Sequence, residues 1–213
     1  MTEAEGLISR IENNYVLLTV PVKSSNFIEK QNITGARVIF DDGRLIHREQ
    51  QKKIYALIGD IAEYTGDEPE YLKHLLKNAF LERFGGEYFS LATCSVTLAS
   101  DFIHFLINFC FTWNIPTRDT MLSRTDDINK YLYICLYHRK CCICNDKAEI
   151  HHCTGSKVGM GFNRNKINNI GRGAIALCRK HHNQAHNSER DFFEKYHVYG
   201  IPLDERLVKK LKL

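Results

Sequence analysis

The sequence lacks most of the features that would set it apart from an ordinary globular protein. No apolar run reaches the ~20 residues that a bilayer span needs; the most apolar stretch, residues 102–113, is short and is interrupted by His104 and Asn108. The opening residues, MTEAEGLISR, lack a basic region with an apolar segment behind it, so no signal peptide is expected. No internal repeat or low-complexity tract is visible. What remains is a chain of 213 residues, 44% hydrophobic and 25% charged, with room for one full domain and a smaller one. No membrane partner is expected, and the expected compartment is the cytoplasm, where thiols stay reduced. There, eight cysteines with a C-x-x-C pair point to metal before disulfide.

Acidic charge is scarce in one part only. From residue 131 onward the chain carries 15 lysines and arginines against 7 acids, a net +8, whereas the first 130 residues hold 14 against 18, a net −4. The basic part suits a module that binds phosphate, the blander alternative being a solvated lysine surface.

The pattern of apolar residues gives an α+β protein, with an α+β domain over residues 1–125 and a smaller domain over 126–213, which the cysteine and histidine spacing described below makes a zinc-containing one. Residues 15–22 and 36–40 read as strands, the second followed by the turn signal Asp41-Asp42-Gly43. Ile54, Leu57, Ile58 and Ile61 then share one helical face that ends at Gly66, and Leu72, Leu75, Leu76, Ala79 and Phe80 repeat the spacing up to Gly85-Gly86. Residues 87–96 read as a strand. Thr97 or Ser100 is the expected cap of a helix burying Phe102, Phe105, Leu106 and Phe109, stopped at Asn114-Ile115-Pro116. Residues 117–127 read as a linker and 128–139 as a connecting helix packed through Leu132 and Cys135. Cys94, Cys110 and Cys135 lie among apolar neighbours and read as buried structural thiols.

The chemistry sits further on. Cys141/Cys144 and Cys178/His181 each have the x-x spacing with which a tight knuckle aims two ligands at one ion, and together they make an S₃N set, the donor set of a closed structural zinc site. Cys142 is too close to Cys144 for that knuckle and reads as a bystander. A second set comprises His151, His152, His182 and His186. Residues 149–152 read as a strand end, on which adjacent side chains point to opposite faces, so His151 and His152 cannot do the same job. Residues 183–191 continue a helix on which His182 and His186, four apart, share a face, with His181 turned away from them. One ion can then be held by His151, His182 and His186 with positions left open, as in catalytic rather than structural sites.

This constellation resembles the HNH, or ββα-metal, endonuclease family in its zinc-stapled subgroup: C-x-x-C, paired histidines, then Leu177-Cys178-x-x-His181-His182-x-x-x-His186, over residues 141–186. The resemblance implies that His151, His182 and His186 hold a catalytic divalent ion (Mg²⁺, Mn²⁺ or Ni²⁺), that Zn²⁺ fills the staple, and that His152 is the general base activating water against a DNA phosphodiester. The family's middle asparagine normally stands a few residues before Leu-Cys. Here residues 171–176 contain none, and Asn169, with Asn168 beside it, is the nearest candidate for the catalytic asparagine. The glycine-rich loop over 154–173 supplies Lys157, Arg164, Lys166 and Arg172 as candidate phosphate contacts, a loose surface loop being the alternative.

Residues 43–61, with their Arg44/Arg48 turn, Lys52-Lys53 and closing Gly59-Asp60, resemble the start of the main helix in the phage Orf (NinB) recombination mediators, and residues 88–115 fit the same pattern. That likeness implies single-stranded or branched DNA as a partner through Arg44, Arg48, Lys52 and Lys53, cooperation with single-strand binding protein, a homodimer, and a bacterial host cytoplasm. The combined expectation is a phage-type recombination protein whose HNH domain nicks or cuts DNA. The alternative is a non-catalytic mediator whose zinc module only binds DNA.

Overall fold

A computed structural model describes residues 6–13, 15–21, 43–155 and 168–213. The strand expected over 36–40 and the loop cations Lys157, Arg164 and Lys166 lie outside them. The molecule is mixed α and β, as the apolar periodicities require.

The chain begins with an antiparallel hairpin, β1 (Leu7–Glu12) and β2 (Tyr15–Thr19), in which Leu7 faces Thr19 and Ile8 faces Leu18. Three long helices follow. In α1 (Arg48–Thr65), His47 Nδ1 accepts the Gln50 N–H at 3.3 Å, and Gly66 ends the helix at φ 79°, where a side chain would be strained. The helix α2 (Pro69–Phe84) starts on a proline, whose missing N–H costs nothing in the first turn. The third helix, α3 (Val96–Trp113), has the length and apolar composition of a membrane span, with a mean hydropathy of 1.3. Nine of its residues, among them Phe102, Ile103, Leu106 and Cys110, are buried inside the protein. Phe80, Phe84, Phe89, Phe102 and Phe105 lock α2 onto α3 through mostly edge-on ring contacts with centroids 5.0–6.3 Å apart.

Two expectations need correction here. Residues 87–96 do not form a strand. Ser90 accepts the Thr93 and Cys94 N–H groups in a turn, leaving a single bridge between Leu45 and Ser95. Phe89 and Leu91 are buried by this turn rather than by sheet pairing. The cap of α3 is Ser95, whose Oγ accepts the Leu98 N–H, while Ser100 lies inside the helix and donates to Asp126.

The segment read as a linker is also built in. It carries a one-turn helix, α4 (Met121–Arg124), with Met121 buried and Arg124 reaching Asp119 at 2.8 Å and Asp60 at 3.5 Å. The Lys53 ammonium donates to the Thr125 carbonyl at 2.6 Å, and Gln50 donates to Asp126 at 2.7 Å. Gln50, Lys53 and Arg124 thus tie the segment to α1, while Arg118, Asp119, Thr120 and Ser123 stay exposed.

The next helix, α5 (Ile128–His138), is capped by Asp127 on the Lys130 N–H and packs against α3 on one side and the last sheet on the other. That sheet is antiparallel, in the order β3 (Glu149–His152), β4 (Gly173–Leu177), β5 (Ile201–Pro202). His151 pairs with Ile175 and His152 with Ala174. Three short helices complete the chain: α6 (Arg179–Asn187), α7 (Glu189–Tyr196) and α8 (Glu205–Leu211). The helix expected to run through 191 breaks at Ser188, where φ −154° and ψ 97° take the backbone out of the helical region, and α7 restarts in a new direction.

Candidate metal centres

The first centre is made by two turns held together. Residues 140–148 form a hairpin in which Cys141 N–H donates to the Asp146 carbonyl, Asn145 N–H to the Cys141 carbonyl and Ala148 N–H to the Arg139 carbonyl. Asn145 adopts φ 64°, a conformation asparagine tolerates. Its side chain accepts the Met121 N–H at 2.8 Å and donates to the Tyr131 hydroxyl at 2.9 Å. The second turn is the start of α6, with Cys178 at the cap position. Cys142 N–H donates to the Ala176 carbonyl and ties the two turns together.

In this frame the His181 Nδ1 lies 3.4, 3.6 and 3.2 Å from the sulfurs of Cys141, Cys144 and Cys178, and the Cys144 and Cys178 sulfurs are 3.6 Å apart. Zinc–sulfur and zinc–nitrogen bonds of ordinary length in a tetrahedron imply edges of roughly 3.6–3.8 Å. The four donors fit such an ion. Burial pushes the Cys144 thiol up. For Cys178 burial acts in the same direction, but the N–H groups of His181 and Lys180 at the helix start and the neighbouring thiols outweigh it and lower the pKa. Cys142 is fully buried beside the frame rather than in it.

The second centre joins β3 to α6. His151, His182 and His186 each present a ring nitrogen, and the three nitrogens lie within 4.8 Å of one another. Their ring centroids are 4.6–5.0 Å apart. His151 is 1% exposed; its Nε2 lies 2.8 Å from a Glu189 oxygen, and its Nδ1 is buried without a hydrogen-bond partner. His182 Nδ1 lies 3.1 Å from Glu149, which also pairs with Arg179. Burial holds the pKa of His151 below the usual imidazole range against the pull of Glu189, and burial together with His186 does the same for His182 against Glu149. Neutral imidazoles are the form that binds a metal, so this donor set also fits a divalent ion.

His152 stands apart from that cluster, on the opposite face of β3. It is half-buried, its Nδ1 has no partner among the described residues, and burial followed by the charge of Arg172 lowers its pKa. Asn169 is buried in the turn before β4, where its carbonyl accepts the Arg172 N–H. Among the candidate cations, Lys52 pairs with Glu49 and Lys53 is spent on Thr125, while Arg48 is exposed at the start of α1 and Arg44 lies just before it.

Sequence reasoning missed the two carboxylates that hold the histidines. Glu149 leads β3, and Glu189 opens α7; the signal for the second was the helix-start pattern Ser188-x-x-Asp191, read instead as continuing helix.

Residues 19–213 match the family model described as "Putative HNHc nuclease". Comparison with curated proteins and with solved structures gives no match.

Proposed function

The chain belongs to the HNHc nuclease family, and on that premise we propose that it hydrolyses phosphodiester bonds in DNA with a divalent ion held by His151, His182 and His186. The observation that carries this reading is the convergence of those three histidines in a chain that also gathers a mostly buried S₃N set. A divalent ion bound there supplies Lewis-acid polarisation of the scissile phosphate and stabilises charge on the leaving oxygen.

The remaining steps belong to the protein. His152 is the general base. Its lowered pKa keeps the imidazole neutral near pH 7, the form that can take a proton from water. Cys141, Cys144, Cys178 and His181 hold zinc and fix the start of α6 against the sheet that carries His151. Arg172 lies near enough to the base to lower its pKa, Asn169 takes the role of the catalytic asparagine, and Lys157, Arg164 and Lys166 provide further cations toward phosphate. The first 125 residues serve a phage-type recombination role on single-stranded or branched DNA, as a homodimer cooperating with single-strand binding protein. Support for this part is the resemblance of residues 43–61 to the Orf (NinB) mediators, with Arg44 and Arg48 as its cations.

One observation favours a second reading, a non-catalytic single-stranded-DNA-binding mediator whose zinc module only binds DNA. His152 Nδ1 has no partner among the described residues, so nothing there orients the base. The deciding experiment offers the protein single-stranded, duplex and branched DNA with Mg²⁺, Mn²⁺ or Ni²⁺. Metal-dependent cleavage that disappears in His186→Ala, with tight zinc retained, is expected. No cleavage of any DNA form replaces the nuclease with the mediator.

A further inference from the structure

We propose that Glu189 is the positioning residue of the three-histidine centre: its carboxylate accepts the Nε2–H of His151 and thereby presents the unprotonated Nδ1 to the ion. The inference rests on the metal-site reading above and goes beyond it in fixing which nitrogen binds and what holds it there.

A neutral imidazole has one N–H and one lone pair. His151 is 1% exposed, with Nε2 2.8 Å from Glu189 and Nδ1 enclosed without a partner. With the proton on Nε2, the N–H meets a carboxylate and the Nδ1 lone pair is the free group of a ring that packs against His182 and His186. With the proton on Nδ1, a buried donor would have no acceptor and a lone pair would face a carboxylate. The first tautomer is therefore strongly preferred. The carboxylate is itself fixed, because its two oxygens lie 3.0 and 2.9 Å from the Thr154 N–H. It also stands in the first turn of α7, where unpaired helix N–H groups favour negative charge. The break at Ser188 is what places it there. Had α6 run on, Glu189 would continue the spiral of His182 and His186 instead of turning back to β3.

The test uses the full zinc-loaded chain. Nitrogen-15 NMR of the wild type without added divalent ion reads the His151 tautomer, and calorimetric titration with Ni²⁺ reads the second site. The wild type should carry its proton on Nε2. Glu189→Ala should lose that single-tautomer signature and bind Ni²⁺ about 10–100-fold more weakly, with zinc content unchanged. Glu189→Gln, which keeps an acceptor oxygen, should recover most of the affinity. A wild-type proton on Nδ1, or Ni²⁺ affinity in both variants within twofold of the wild type, overturns the proposal and leaves the nuclease reading standing. A wild type that takes up no second ion overturns both.

Discussion

His151 and His152 are neighbours on opposite faces of β3, and single substitutions should separate the two duties proposed for them. His152→Ala should retain Ni²⁺ binding while lowering the cleavage rate by about 10²–10⁴, the usual contribution of a positioned base. His151→Ala should instead weaken ion binding, and excess metal should partly restore its rate. Equal activity of His152→Ala and wild type in a nicking assay would dismiss the base assignment. A third histidine, His138, acts on stability. It is half-buried, with Nε2 2.9 Å from Asn108 Oδ1, and burial, then Lys210 and Lys140, lowers its pKa from 6.5 to about 4. The folded protein keeps it neutral, so between pH 6.5 and 4 the unfolded chain takes up a proton that the folded one refuses. Stability should fall as pH drops through that window, by about 1–2 kcal/mol from this group once solvent screening is allowed for. Urea unfolding at pH 7 and 4.5 should show a smaller loss in His138→Gln.

At the scale of elements, the proposed zinc staple would hold the start of α6 against the hairpin of residues 140–148. Cys144→Ala or Cys178→Ala should unfold the last third of the chain, since ion binding to such a set is folding free energy on the order of 10 kcal/mol. Elemental analysis of the wild type should give about one tightly held zinc per chain; a protein that stays folded after complete chelation would refute the staple. That these side chains would gather into two clusters was legible in the sequence, because x-x spacing in a knuckle and i, i+4 spacing on a helix are local rules that tertiary structure seldom overrides. The faces of α1 and α3 were legible for the same reason; on α2, Leu72, Leu76 and Phe80 are buried as expected but Leu75 is 48% exposed. What escaped depended on competition between local choices. Residues 87–96 alternate like a strand, but Ser90 closes a turn and Ser95 is consumed as a cap, so no ladder forms. The seam around Asp60, Arg124 and Asp126 read as a linker because its polar residues find their partners up to 76 positions away.

Taken as a molecule, the chain carries its charge unevenly, net +8 beyond residue 130 and net −4 before it. If the basic part meets phosphates, DNA affinity should fall steeply between 50 and 200 mM salt, by roughly 10-fold or more for a handful of contacts. Fluorescence anisotropy with a labelled oligonucleotide measures this, and an affinity indifferent to salt would assign the basic face to a protein partner. The charge is not presented alone, because the knuckle is bonded through Asn145 to Met121 and Tyr131. Zinc removal should therefore also loosen α4 and the start of α5.

The pairing of β3 with β4 has one more consequence. His151 stands opposite Ile175 and His152 opposite Ala174, so the tandem histidines look like a spare part, as if either could serve for the other. They cannot. Slippage of β3 by one residue toward its start would carry His152 to the ligand place and bring Cys153 to the base place. Slippage the other way would carry His151 to the base place and leave Ile150 to face the ion. Either misalignment keeps one duty and loses the other, so duplication gives the strand no tolerance of error. A one-residue insertion between 145 and 150 should be far more damaging than one of the same size beyond Thr154.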